Sequence, residues 1–473
     1  MKRALWISCF IFVTSACSSP FLDEGLLDAA QEDKAITSLT KSVENPFFVT
    51  ENDLRDYVRF KSLSEKEDLA VLDIVPYGDA EDFCFYVINY DGGGWDLIAA
   101  DKRYDPLIAN NPNGYFSEDD LIPPIKEWLD TFEEELKIFK TIPDLKAFSG
   151  DDYDRAISNV KYWSMVTGEM PSLENGVLPT KSQFDPSGYW EIISITTDTL
   201  QYQLVNHLIQ THWHQDAPYN AYCPFKSYSS SLRAPAGCVA IAGAQVAYFL
   251  HNKIGLPQTA PLTAFCDAQV PTPGYNIQYP YIPTTNDPNM NVSNLNSSAW
   301  PMMSGNSDYI AKLITQVGID VSMNYYNDLS LSTIALLPDY YFMPNGISCS
   351  SYTPINTSTY SSIYSNILSG YPVIARASAS DESGHAFIID GYRYRLVRIT
   401  TTYAWVPLDP ANANYYDNRV ETVDRSYTHV TMNWGWGNNY PFDNGWYVLS
   451  ENWQVNNVMF TSNKYMIYNF GVL

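Results

Sequence analysis

The sequence predicts an α+β protein with two folded domains in series, a small one near the N-terminus and a larger one over residues 191–473. Three observations carry this. Residues 83–90 and 95–100 are β-rich runs either side of Asp91-Gly-Gly-Gly94, which reads as a hairpin. Ile125, Trp128, Leu129, Phe132, Leu136 and Phe139 recur at helical spacing after Pro123-Pro124. A second apolar helix spans residues 237–252, with several strands toward the C-terminus, and a stretch containing Gly168, Pro171, Gly176, Pro179, Pro186 and Gly188 separates it from the first domain.

In chain order, Lys2 and Arg3 precede a mostly apolar run over residues 4–13. That run is too short for a mature membrane span, which takes ~20 residues. Thr14-Ser15-Ala16 then leads into Cys17, which resembles a bacterial lipoprotein signal whose cysteine is lipidated; an ordinary secretory signal cleaved nearby is the other reading. Either predicts export, as an outer-membrane or cell-surface lipoprotein precursor in the first case. Residues 18–45 are polar and acidic and read as a tether. Residues 46–165 form the small α+β domain, beginning with Thr50 and Asp53 at the spacing of a helix N-cap. Residues 166–190 read as an exposed linker, the kind of segment that proteases nick.

Composition excludes several classes. Hydrophobic residues make up 45%, aromatic 15% and charged 17%, so a packed core is expected rather than a disordered chain. A formal net charge of -25 repels phosphate backbones and anionic lipid, which argues against nucleic-acid partners. Apart from Cys9 and Cys17 in the signal, the cysteines are Cys84, Cys223, Cys238, Cys266 and Cys349. They show no zinc spacing, and an odd number in an exported chain invites a catalytic thiol.

Pro235 and Gly237 before Cys238, with Gly255 and Pro257 at the far end, place Cys238 at a helix N-terminus. Unpaired amides and the positive dipole end favour thiolate there, although a buried structural cysteine is the alternative. A thiolate needs a base. His385 opens an apolar strand in Ser383-Gly-His-Ala-Phe-Ile-Ile-Asp-Gly-Tyr392, which would project its imidazole into a cleft; a structural histidine is the other reading. Within Met432-Asn-Trp-Gly-Trp-Gly437, Asn433 can orient the imidazole, with Trp434 or Trp436 shielding that bond. Gln215 can supply a side-chain amide that joins the Cys238 N–H in an oxyanion hole, a glutamine simply hydrogen-bonded in a loop being the other reading. His212 and His214 lack a third ligand nearby, so no metal site is expected, and acyl transfer through a thiol needs no organic cofactor.

The order Gln, Cys, His, Asn is that of papain-type proteases. The local motifs resemble the streptopain family of bacterial cysteine proteases, in Gln215, Pro218-Tyr219-Asn220 and Cys223-Pro224; in Gly237-Cys238-Val239-Ala240 with Ala244-Gln245; in Gly384-His385-Ala386-Phe387-Ile388-Ile389-Asp390-Gly391; and in Asn433-Trp434-Gly435-Trp436-Gly437. The first domain is similar to that family's prodomain, through Ile98-Ala-Ala-Asp-Lys-Arg103, Pro106-Leu-Ile108 and the Trp-containing helix. The resemblance implies a papain-like two-lobed fold, a central helix plus an antiparallel β-sheet lobe, preceded by an inhibitory prodomain. It also implies secretion as a zymogen, protein or peptide substrates, and an apolar side chain preferred at the second residue before the cut. By it Cys238 is nucleophile, His385 proton acceptor, Asn433 and Trp434 the orienting and shielding pair, and Gln215 the oxyanion donor. One departure is the 48-residue separation of His385 from Asn433, which implies a β-excursion or surface loop near 393–427. A papain-fold surface lipoprotein that only binds protein or glycan ligands, or a transpeptidase or amidase using the same dyad, are the rival readings.

Overall fold

The computed structural model describes residues 46–168, 188–254 and 303–473, apart from short internal segments. The signal (1–17), the tether (18–45), most of the linker (166–190) and Cys266 lie outside the described residues.

The first helix, α1 (Glu51–Glu65), starts at the cap read from the sequence. Thr50 donates to Asp53 Oδ2 from its N–H at 2.7 Å and its hydroxyl at 2.9 Å, and the Asp53 N–H donates back to Thr50 Oγ1 at 3.3 Å. This reciprocal box satisfies amides the helix leaves open. An antiparallel meander follows: β1 (Val71–Tyr77), β2 (Phe85–Tyr90), β3 (Trp95–Ala99) and β4 (Leu107–Asn111). Helix α2 (Pro123–Thr141) enters through prolines and buries Trp128, Leu129, Phe132, Leu136 and Phe139, the stripe expected from its spacing. A third helix, α3 (Asp151–Thr167), has no counterpart in the sequence expectations. Asp151, Asp152 and Asp154 sit in its first turn, where negative charge suits the helix dipole, and Tyr162, Trp163 and Val166 are buried.

In the second domain, β5 (Gly188–Val205) precedes the central helix α4 (Cys238–Ile254), which packs on α5 (Ser307–Asp320). The approach is close at Gly243, where a Cβ would stand 2.8 Å from both Val317 Cγ1 and Leu337 Cδ2. Beyond lie β6 (Thr353–Pro354), α6 (Tyr360–Leu368), β7 (Val373–Ala377), β8 (His385–Pro407), β9 (Arg419–Asn433), β10 (Trp446–Tyr447) and β11 (Tyr465–Ile467).

Among the described residues these strands make one antiparallel sheet, in the order β1-β2-β3-β4-β10-β9-β8-β7-β11-β6, with β5 also on β8. The two domains expected to be separate therefore share a sheet, joined where Ala109 and Asn110 of β4 pair with Tyr447 and Trp446 of β10. Strand periodicity sorts the core: Ile374, Ala386 and Ile388 join α4 and α5, whereas Val373, Ala375, Phe387 and Ile389 join Trp128, Phe132 and Trp434. A helical lobe thus packs on an antiparallel sheet lobe, and α2 of the first domain covers the sheet's other face.

Of the β-excursion or surface loop expected near 393–427, the residues described up to Pro407 and from Arg419 are strand. β8 pairs with β9 from Ile388–Asn433 out to Tyr403–Arg419, while β5 lies along its other edge from Tyr392–Val205 to Pro407–Gly188. Residues 188–190, expected in the linker, belong to β5, and residues 166–167 to α3.

Candidate active site

Cys238 is the first residue of α4, and Gly237 sets it there with φ of +89°. A Cβ on Gly237 would lie 2.7 Å from both Sδ and Cε of buried Met323. The Cys238 Sγ accepts the Ala386 N–H at 3.4 Å, which puts the thiol beside the start of β8. Burial raises its pKa; the Ala386 N–H and the first amides of α4 oppose that, and Glu127 adds to it.

His385 opens β8 and is buried, its Nε2 lying 3.1 Å from the Trp434 carbonyl oxygen. A carbonyl can only accept, so the hydrogen is assigned to Nε2 and the Nδ1 lone pair is the one available to take a proton. Burial pushes the imidazole down to about 4, against the Trp434 carbonyl and Glu127. Both shifts favour a neutral thiol beside a neutral imidazole, so burial works against the charged pair in this state.

Asn433, at the end of β9, lies with its side chain among other groups. Its Nδ2 donates to the Thr211 carbonyl at 2.8 Å and to Gln245 Oε1 at 3.3 Å, and its Oδ1 accepts from Gln245 Nε2 at 3.2 Å and Gly435 N–H at 3.1 Å. Buried Gln245 meets the asparagine amide to amide, so the contact that orients His385 falls on the main chain of Trp434. Trp434 is 1% exposed and packs tilted against Phe387, 5.0 Å between ring centroids, with Tyr447 edge-on at 5.5 Å. Gln215 is half-buried; its carbonyl accepts the Ala236 N–H at 2.8 Å, which ties it two residues ahead of Cys238. His212 and His214 join no metal-holding cluster among the described residues, and Cys84, Cys223, Cys238 and Cys349 are free thiols.

Three residues given no role by the sequence reading matter in this geometry. Gln245 is the polar interruption in the apolar stretch 239–250 of α4, a signal open to the sequence. Asp390 is fully buried at a register shift of β8, accepting from Thr431 Oγ1 at 2.9 Å and the Ile209 N–H at 3.2 Å, with His207 Nδ1 at 3.1 Å. It thereby anchors the segment that runs on to Thr211 and Gln215. Glu127 comes from α2 of the first domain. Its Oε2 is buried with no hydrogen-bond partner among the described residues, and its charge is felt by both His385 and Cys238. The adjacent Trp128 packs edge-on against Tyr447 at 5.0 Å and Trp434 at 6.4 Å. No spacing rule marks Glu127, because its place depends on how α2 docks on the sheet.

Such a set can perform acyl transfer: a thiol at a helix start, an imidazole with one acceptor nitrogen, and amide donors beside the sulfur. Two family models point the same way. Residues 213–447 match the model of the Peptidase C10 family, and residues 55–136 match that of the Spi protease inhibitor. Among solved structures, a mutant fragment of prointerpain A from Prevotella intermedia is 20% identical, over 85% of this chain and 97% of that one, with a TM-score of 0.44. No curated protein matches.

Proposed function

We propose that this chain is a cysteine peptidase of the Peptidase C10 family, made as a zymogen with its own Spi-type inhibitor domain, and that Cys238 and His385 perform its chemistry. The observation that supports this most is the Ala386 N–H on the Cys238 sulfur at 3.4 Å, which joins the start of α4 to the strand that carries His385.

In this reading His385 Nδ1 takes the Sγ proton and the thiolate adds to a peptide carbonyl carbon. The Cys238 N–H and the Gln215 side-chain amide hold the resulting oxyanion. The C–N bond breaks as His385 returns its proton to the leaving amine, giving a thioester. Water then adds to the thioester, its proton passing to His385, and the acid leaves as the thiol is restored. The Trp434 carbonyl orients the imidazole through Nε2, with the Trp434 ring as its shield. No step draws on a metal or an organic cofactor.

Latency follows from the first domain. α2 lies over the sheet face that holds Trp434, and Glu127 opposes thiolate formation at Cys238. Loss of that cover would reduce burial of both groups and lift the opposition to the charged pair. The precursor is exported, with a lipid on Cys17. A cut between residues 168 and 188 leaves any such lipid on the inhibitor domain and none on the protease fragment, from chain order alone.

The test is self-processing. The precursor lacking residues 1–17 is incubated with a reductant beside its Cys238→Ala variant, and masses are followed. The reading expects only the unmutated chain to yield a fragment of about 30 kDa, the size of ~280 residues; a Cys238→Ala chain that processes itself contradicts it.

A further inference from the structure

Beyond the catalytic start of β8, the outer parts of β5, β8 and β9 form an arm that reaches away from Cys238. Val397 and Ile399 of β8 are 2% and 3% exposed, while Arg398 between them faces solvent. The buried pair belongs to one apolar cluster with Leu54, Tyr57 and Phe60 of α1 and Trp163 and Val166 of α3, and Ile195 and Val423 pack against it. The arm thus turns its apolar side to the inhibitor domain.

A charged anchor lies in the same seam. Arg425 of β9 is 6% exposed, and its Nη2 donates to Asp105 Oδ1 at 3.1 Å and Asn159 Oδ1 at 3.2 Å. Its guanidinium carbon lies 4.3 Å from the centroid of the Tyr162 ring. All three partners belong to the first domain. The arm also has cohesion of its own, through its strand ladders and the two-pronged Arg398–Asp424 pair, 2.7 Å at each bond, on its outer side.

These contacts are distinct from those over the cleft. The cleft side is covered by α2, through Trp128 on Trp434 and Tyr447, whereas the arm meets α1, α3 and Asp105.

We propose that the β5–β8–β9 arm is an exosite for the inhibitor domain, holding residues 46–167 at a surface separate from the cleft after the connecting chain is cut. The inference rests on reading that domain as the inhibitor. Two attachment points on one rigid partner raise its effective concentration at the cleft, so the cut alone does not free the enzyme. Asp105 is partly exposed, but the Arg425 guanidinium is buried, and removing one partner of a hydrogen-bonded charge pair with a buried member acts mainly on the dissociation rate.

The test uses the full chain carrying Cys238→Ala, with a site-specific protease sequence inserted between residues 168 and 188. After cutting, the parent should elute as one complex. Arg425→Ala should dissociate at least tenfold faster, Arg425→Lys should recover part of the loss, and Asp105→Asn should reproduce it from the other side. Melting curves of the uncut chains show whether each variant folds. An Arg425→Ala complex that dissociates at the parent's rate, or a parent that separates as soon as it is cut, overturns the proposal. Because no step requires peptidase activity, the outcome is independent of whether Cys238 is the nucleophile.

Discussion

Truncating Trp128 to alanine should unlatch the active site without touching it. The indole is 2% exposed and sits 4.6 Å from Phe132 within α2, 5.0 Å from Tyr447 and 6.4 Å from Trp434, between ring centroids. Removing a buried tryptophan costs about 3–5 kcal/mol. Phe132 belongs to the inhibitor domain's own fold, whereas Tyr447 and Trp434 lie across the seam. If half the cost falls on docking, about 1.5–2.5 kcal/mol, the cover opens roughly 10- to 70-fold more often, at 1.36 kcal/mol per decade. The assay is the rate at which iodoacetamide alkylates Cys238, read by mass spectrometry of its peptide in the uncut chain. Buried Cys84 and Cys223 serve as internal references for general unfolding. A faster rate at Cys238 alone is expected. An unchanged rate, or equal acceleration at all three thiols, would refute the reasoning that α2 guards the site through Trp128.

Other expectations follow from the same geometry. Gly237→Ala should cost about 1–2 kcal/mol for its left-handed backbone and ~1–3 kcal/mol for displacing Met323; unaltered unfolding would contradict the account of the helix start. Gln215→Ala should lower kcat by about 10²–10³ with little change in KM, and an equal effect on both would mean that the side chain only binds substrate. Burial, with Arg393 adding to it, depresses His429 from 6.5 to about 3, so the folded chain refuses a proton that the unfolded chain accepts below about 6.5. Its contribution is intact above about pH 6.5 and is lost as pH falls toward 3, by up to ~1.4 kcal/mol per unit. Urea midpoints between about pH 6 and 4 should therefore shift less in His429→Gln than in the parent, and parallel curves would count against it. Cys17→Ala should abolish fatty-acid labelling of the precursor; label recovered on the protease fragment would contradict the anchoring order.

How far the sequence could be read depended on whether the signal was local. The Thr50–Asp53 cap, the hairpin around Asp91 and the stripe of α2 are short-range patterns, and each appears in the fold where its residues predict it. The start of α4 was equally legible, since Gly237 and Pro235 mark the helix boundary that carries Cys238. What escaped is tertiary. No residue pattern says that Asn110 of β4 will pair with Trp446 of β10, 336 positions on, and fuse two domains into one sheet. Of the two readings for 393–427 the β-excursion holds, but that β5, far away in sequence, would line its outer edge was beyond any local pattern. Asn433 was read as a partner of His385; in the structure Gln245 occupies both ends of its amide, a contact between residues 188 apart. The charge of Glu127 beside the site is beyond sequence reading for the same reason.

The most direct test of the central claim is covalent trapping. The processed enzyme is treated with a peptidyl inhibitor that alkylates active-site thiols, and peptide hydrolysis is followed beside peptide mapping of the adduct. The account predicts that activity falls in proportion to modification of Cys238, and that Cys238→Ala neither hydrolyses peptide nor takes up the label. Full hydrolysis by Cys238→Ala, or full activity with Cys238 completely modified, would contradict it.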